Sequence, residues 1–191
     1  MGFLDSILKK KPKEEKNEQT SKQPSVNFQA PSEIPPKLDL SKKIGLNFSK
    51  LNLDKQDVRE KTRFLLDVSG SMDSYINNIR KIDSLRDVMR NYPDAHKTCF
   101  SSNVLNSDRI PEPDGTTNLA SALRFVKSVT PSPERIVLVS DGEPNSISDA
   151  RKAASELGLP IDIIFIGNKG CEGEKFMEEL AKMTGGQHFV V

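Results

Sequence analysis

Three short stretches of this sequence combine carboxylates, hydroxyls and glycine beside apolar runs: Asp67-Val68-Ser69-Gly70-Ser71, Gly115-Thr116-Thr117-Asn118 and Asp141-Gly142-Glu143. They offer hard oxygen donors, with no thiolate and no imidazole among them. Such donors suit Mg²⁺, Mn²⁺ or Ca²⁺ and suit Zn²⁺ or Cu poorly. Asp67, Ser69 and Ser71 stand two residues apart, so in an extended run their side chains share one side. Gly70 lets the turn between them tighten. An ion of the Mg²⁺ type keeps several waters and asks for few protein ligands, so a small loop suffices to begin a site.

Residues in separate stretches reach one another only if the chain brings the stretches together. From residue 62 onward the pattern is that of strands alternating with helices. TRFLLDVS is a compact apolar run that ends in the first polar stretch. IVLVSDG is a continuous β-branched run, the mark of a parallel strand buried on both faces. PIDIIFIG reads as a third such strand, QHFVV as a closing one, and HKTCFSS and NVLNSD as short strands between them. Tyr75, Ile76, Ile79, Ile82, Leu85, Val88, Met89 and Tyr92 follow a three-to-four spacing, which predicts an amphipathic helix over 73–92 that Pro93 terminates. Further helices are predicted over NLASALRFVKSV, over SISDARKAASELG with Gly158 at its stop, and over EGEKFMEELAKMTGG with Gly185 at its end. This alternation implies an α/β fold: a doubly wound, mostly parallel sheet with helices on both faces. In such a fold the functional crevice lies outside the C-terminal ends of the strands, where the three polar stretches are expected to converge.

Composition narrows the classes of function. Lys and Arg number 28 against 27 Asp and Glu, so no global field attracts nucleic acid. The two cysteines, Cys99 and Cys171, lie far apart and outside any CxxC pattern, which argues against a disulfide framework and against zinc, and favours a reducing, cytoplasmic setting. No apolar stretch reaches the roughly 18 residues of a membrane span, and the N-terminus does not read as a secretion signal.

Four segments are expected. Residues 1–11 form a short amphipathic start, with Phe3, Leu4, Ile7 and Leu8 followed by lysines. Met1-Gly2-Phe3-Leu4-Asp5-Ser6 also fits the M-G-x-x-x-[ST] acylation pattern, whose alternatives are a peptide that touches a membrane surface or a partner, and a frayed, solvated start. Residues 12–36, rich in Lys, Glu, Gln, Ser and Pro, read as a disordered linker. Residues 37–60 read as an extended lead-in from the alternation in KLDLSKKIGLNFSKLNL, and 61–191 as the folded domain.

FLLDVSGSM, GTTNLASAL and IVLVSDGEP, in this order and spacing, resemble the metal-ion-dependent adhesion site of von Willebrand factor A domains. The resemblance covers about residues 60–191. It implies a Rossmann-like fold holding one divalent cation, Mg²⁺ with Mn²⁺ or Ca²⁺ as alternatives. Ser69 and Ser71 would ligate through their hydroxyls and Thr117 directly or through water. Asp67 and Asp141 would act mainly through waters and by holding the hydroxyls in place. Mostly neutral direct ligands would leave the cation electrophilic, with an open position for an Asp or Glu carboxylate of a partner protein. Two departures stand out. The family often has Gly-Gly-Thr where this chain has Gly115-Thr116-Thr117, which could shift the ligand by one residue. The sequence also stops at the last strand, without the helix that follows it in many relatives. The lead-in, KLDLSKKIGLNFSKLNL, is similar to that of von Willebrand factor A proteins in bacterial tellurite-resistance and stress-response clusters, which implies a bacterial or phage cytoplasmic protein.

Each site residue also has a plain structural reading. Ser71 or Asp73 would cap the next helix, Thr117 would be an N-cap, Asp141-Gly142 a turn, and Glu143 a solvated loop residue. His96 and His188 read as structural or surface residues, and Cys99 as a strand core residue. Three functions compete: a metal-dependent protein-interaction module, a Mg²⁺-dependent phosphoester hydrolase, and a structural assembly subunit. The first is favoured and no catalysis is expected. The sequence lacks GxxxxGK[ST] and a plausible nucleophile–base pair, and Ser69 stands where haloacid-type phosphatases need a second Asp.

Overall fold

The computed structural model describes residues 55–105, 107 and 109–191. The amphipathic start, the linker and residues 37–54 of the lead-in lie outside the described residues. The last six lead-in positions are not extended: Lys55–Glu60 form a short helix, α1. Its Val58 is buried against the sheet, so one apolar side chain decides which side faces inward.

Five strands run parallel: β1 (Thr62–Asp67), β4 (His96–Phe100), β6 (Arg135–Ser140), β7 (Ile161–Phe165) and β8 (His188–Val190). β5 (Val104–Leu105) adds a two-residue antiparallel edge to β4. The order across the sheet is β5-β4-β1-β6-β7-β8, so the chain leaves β1 toward one side and returns to pair with its other side at β6. The switch point therefore lies at the C-terminal end of β1, where an open α/β sheet places its crevice.

Alternation along β1 divides the core into two layers. Leu65 faces one layer with Phe100, Leu138, Ile163 and Phe165, covered by α3 (Leu119–Val126), α4 (Ile147–Leu157) and α5 (Glu172–Thr184). Phe64 and Leu66 face the other with Val137, Val139 and Ile164, covered by α1 and α2 (Lys81–Arg90). The doubly wound sheet expected from the sequence is present. Gly158 and Gly185 end α4 and α5 in the left-handed region (φ 71° and 75°), as their positions predicted.

The helix expected over 73–92 is shorter. Gly70–Asp73 form a turn of 3₁₀ helix, and β2 (Tyr75–Ile76) and β3 (Ile79–Arg80) form a hairpin before α2 begins at Lys81. Asn77 and Asn78, both with positive φ (49° and 64°), make the two-residue connection that a tight hairpin requires. The apolar spacing of Tyr75, Ile76 and Ile79 continued that of α2 only by coincidence. Tyr75 is 67% exposed, not inward.

Candidate metal centre

The three polar stretches meet above the C-terminal end of β1. Asp67 closes that strand, and its backbone continues into a loop held by Val68 N–H donating to Phe100 O at 2.8 Å. Gly70 N–H donates to Gly115 O and Asp114 N–H to Val68 O, both at 2.9 Å, which ties the first stretch to the second. A Cβ on Gly70 would stand 3.2 Å from Gly115 O, so this approach favours glycine. Thr117 N–H donates to Asn145 Oδ1 and Asn145 N–H to Thr117 O, both at 2.9 Å, which ties the second stretch to the third. Ser140 Oγ donates to Asp67 Oδ2 at 2.6 Å and closes the circle.

Asp67, Ser69, Thr117 and Asp141 are buried, and Ser71 is half-buried. Asp67 has both oxygens engaged, Oδ1 accepting from Ser69 N–H at 2.9 Å and Oδ2 from Ser140. Burial pushes its carboxyl up to about 6; the Ser140 hydrogen bond works against this, the Asp141 charge adds to it, and the bonds from Ser69 oppose it. The hydroxyls of Ser69 and Ser71 face each other at 3.0 Å. Asp141 Oδ2 accepts from Lys81 Nζ at 2.9 Å, while its Oδ1 is buried and has no hydrogen-bond partner among the described residues.

Of the plain readings, the two helix caps fail and the one at Asp141-Gly142 stands. Ser71 caps no helix side chain to backbone, because the next long helix starts ten residues later. Thr117 is not the N-cap of α3: Asn118 is, through Oδ1 accepting from Ser121 N–H at 3.2 Å. Asp141-Gly142 does form a turn, with Gly142 at φ 86°, which is compatible with a second role. The one-residue ambiguity at 116–117 also gains a physical asymmetry. Thr116 is exposed, and its Oγ1 is engaged by Asn145 Nδ2 at 3.0 Å and by Ser102 Oγ at 3.1 Å. The Thr117 hydroxyl has no hydrogen bond among the described residues.

Sequence reasoning missed Lys81, Ser140 and Asn145. Ser140 carries a signal after the fact, since it is the strand-end neighbour of Asp141 in β6. Asn145 and Lys81 carry none, for each is recognised only by what it touches. Glu143 is an exposed loop residue. His96 pairs with Arg63 near the N-terminal end of β1, away from the crest, and His188 stands in mid-sheet beside Ile163. Cys99 is a core residue whose thiol burial pushes up to about 11. Cys171 is the half-buried N-cap of α5.

Among the described residues no three His, Cys, Asp or Glu side chains form a group that could by itself hold a metal ion. The crest instead combines two carboxylates with three hydroxyls, a donor set that fits a small hard cation, and the unpartnered Asp141 Oδ1 is the kind of buried oxygen such an ion and its waters satisfy.

No family model and no curated protein matches the sequence. Solved structures match its fold. A von Willebrand factor type A protein from Catenulispora acidiphila aligns with a TM-score of 0.54 at 15% identity, over 69% of this chain and 38% of that one. The fold is that of a von Willebrand factor A domain. The manganese-loaded TRAP protein of Plasmodium vivax aligns at 0.51 and 21% identity, over 66% of this chain and 63% of that one. An aerotolerance-related membrane protein from Bacteroides fragilis aligns at 0.51 and 17%, over 69% and 90%. In this frame the crest stands at the C-terminal edge of the sheet, and the sheet's edge beside β4 is the two-residue β5.

Proposed function

We propose that the chain is a metal-ion-dependent protein-interaction module whose crest binds one divalent cation, Mg²⁺ or in its place Mn²⁺ or Ca²⁺, and through it a carboxylate of a partner protein. Ser69 and Ser71 hold the ion through their hydroxyls, and Thr117 does so directly or through water. Asp67 orients Ser69 through its backbone N–H, and Asp141 presents its free oxygen to the ion's waters. When bound, the cation supplies a Lewis-acidic position that an outside Asp or Glu can fill. The observation that carries this reading is Asp141 Oδ1, a buried carboxylate oxygen with no hydrogen-bond partner among the described residues, at the crest where the three polar stretches meet. The manganese-loaded TRAP protein, with the same fold, lends support.

The reading contains no catalytic step. Asp67, the nearest analogue of a phosphatase nucleophile, has both oxygens committed, to Ser69 and Ser140, and neither histidine is among its partners. The lead-in supports a bacterial or phage setting of the tellurite-resistance or stress-response kind, in the cytoplasm. No described helix is long and apolar enough to cross a membrane.

Thermal denaturation tests the metal site. Mg²⁺ at about 100 times its Kd should stabilise the wild type by about 2.7 kcal/mol, and Asp67→Ala or Ser69→Ala should abolish that gain while the chain stays folded. Affinity capture from the native source tests the partner: binding should vanish with EDTA and with Asp67→Ala. Equal Mg²⁺ responses in wild type and variants would overturn the site, and capture indifferent to EDTA would overturn the function.

A further inference from the structure

The carboxylate that offers one free oxygen spends the other on a cation of the chain itself. Lys81 Nζ donates to Asp141 Oδ2 at 2.9 Å, and both side chains are largely withdrawn from solvent, at 17% and 1% exposure. Lys81 is the first residue of α2, and its position is built. Its N–H donates to Ser74 O at 2.9 Å, tying the helix start to the loop that carries Ser69 and Ser71. Its neighbour Arg80 is fixed by Asp73 at 2.5 Å and Glu112 at 2.9 Å. The β2–β3 hairpin thus delivers one ammonium to the crest.

We infer that Lys81 is the resident counter-cation of Asp141, and that it tunes the crest toward weaker metal binding and stronger attraction for an outside anion. The inference rests on the metal reading above and adds a residue to it. Two carboxylates, Asp67 and Asp141, face the crest. Without Lys81 a divalent ion would neutralise both, and little charge would remain to draw a partner's carboxylate. With Lys81 the loaded crest keeps a surplus of one positive charge, which a partner's Asp or Glu cancels. The same ammonium repels the incoming ion and gives Asp141 a partner while no ion is present. Affinity for metal is exchanged for affinity toward the anion that completes the site.

The test uses the full chain and Mn²⁺ as the probe, with free Mn²⁺ followed by electron paramagnetic resonance. Lys81→Met should bind Mn²⁺ about ten-fold or more tightly than wild type, because a like charge has been removed from beside the ion. Lys81→Gln should behave likewise and serves if the Met variant does not fold. Lys81→Arg, which keeps the charge, should stay near wild type. In EDTA the neutral variants should melt below wild type, because the buried Asp141 then lacks its cationic partner, and Mn²⁺ should raise their melting temperature by more than it raises that of wild type. Asp67→Ala supplies the baseline for binding away from the crest. If wild type binds above that baseline and the neutral variants bind equally or more weakly, the role of Lys81 is overturned while the metal site stands. If neither wild type nor the neutral variants exceed the baseline, the metal reading falls and the inference with it.

Discussion

Two buried aspartates at opposite ends of the sheet are used in different ways. Asp162 lies near the N-terminal end of β7, is 2% exposed, and has both oxygens engaged. Its Oδ2 pairs with Arg135 Nη1 at 2.5 Å, and its Oδ1 accepts from Gln187 N–H at 2.8 Å, which joins β6, β7 and the approach to β8. Asp141, at the C-terminal crest, is 3% exposed and also has one cationic partner, yet its second oxygen has none among the described residues. A buried oxygen without a partner carries a desolvation cost, so a fold that satisfies one aspartate and leaves its counterpart open has spent stability at the crest. The comparison separates a carboxylate satisfied on both oxygens from one satisfied on a single oxygen.

The largest expected effect falls on the closed aspartate. Asp162→Ala should cost about 2 kcal/mol in urea denaturation, below the usual toll for breaking a buried pair because the Arg135 side chain is partly solvated. It should leave the Mg²⁺ response intact, and a lost response would erase the distinction between the two ends. The next effect is one of pH. Asp67 titrates near 6 in the metal-free chain, against an unfolded value of about 3.9. The folded state therefore holds this proton more tightly, and the metal-free chain should lose stability as pH rises from about 4 to about 6, then level off. Asp67→Asn should flatten that slope in melting curves recorded in EDTA. Over the same window the stabilisation given by Mg²⁺ should grow, since the ion competes with that proton. The smallest effect lies within the Thr116–Thr117 pair. Thr117→Ala should reduce the Mg²⁺-dependent stabilisation by about 1 kcal/mol, while Thr116→Ala, whose hydroxyl is engaged by Asn145 and Ser102, should leave it unchanged and cost up to about 1 kcal/mol in stability alone. Isothermal titration with Mg²⁺ reads both, and a reversed order would move the ligand by one residue.

Much of this arrangement is legible in the sequence because strand ends in a parallel sheet are marked twice, by the apolar run and by the polar residues that break it. Asp67 follows TRFLL and Asp141 follows IVLVS, so the sequence alone places both at one edge of the sheet. Residues 73–80 were misread for a physical reason: a hairpin of four paired residues contributes too few positions for its period of two to stand out against an adjoining helix. Asn77-Asn78 was the available signal, a turn dipeptide within an apparently helical run. The misreading hid Lys81, which a helix over 73–92 leaves as one more solvated lysine. Asn145 and Ser140 were out of reach for another reason. Each acts through a partner far along the chain, Thr117 and Asp67 respectively, and spacing carries no record of such pairs.

The central claim is that one divalent ion sits among these oxygens with a position left open to the outside. Anomalous scattering from a crystal grown with Mn²⁺ tests it most directly. The account predicts a single strong peak bounded by the hydroxyls of Ser69, Ser71 and Thr117, with Asp67 and Asp141 reaching it through ordered water and one coordination site facing solvent or a neighbouring carboxylate. A map with no peak there under saturating Mn²⁺, or with its peak elsewhere on the molecule, would contradict it.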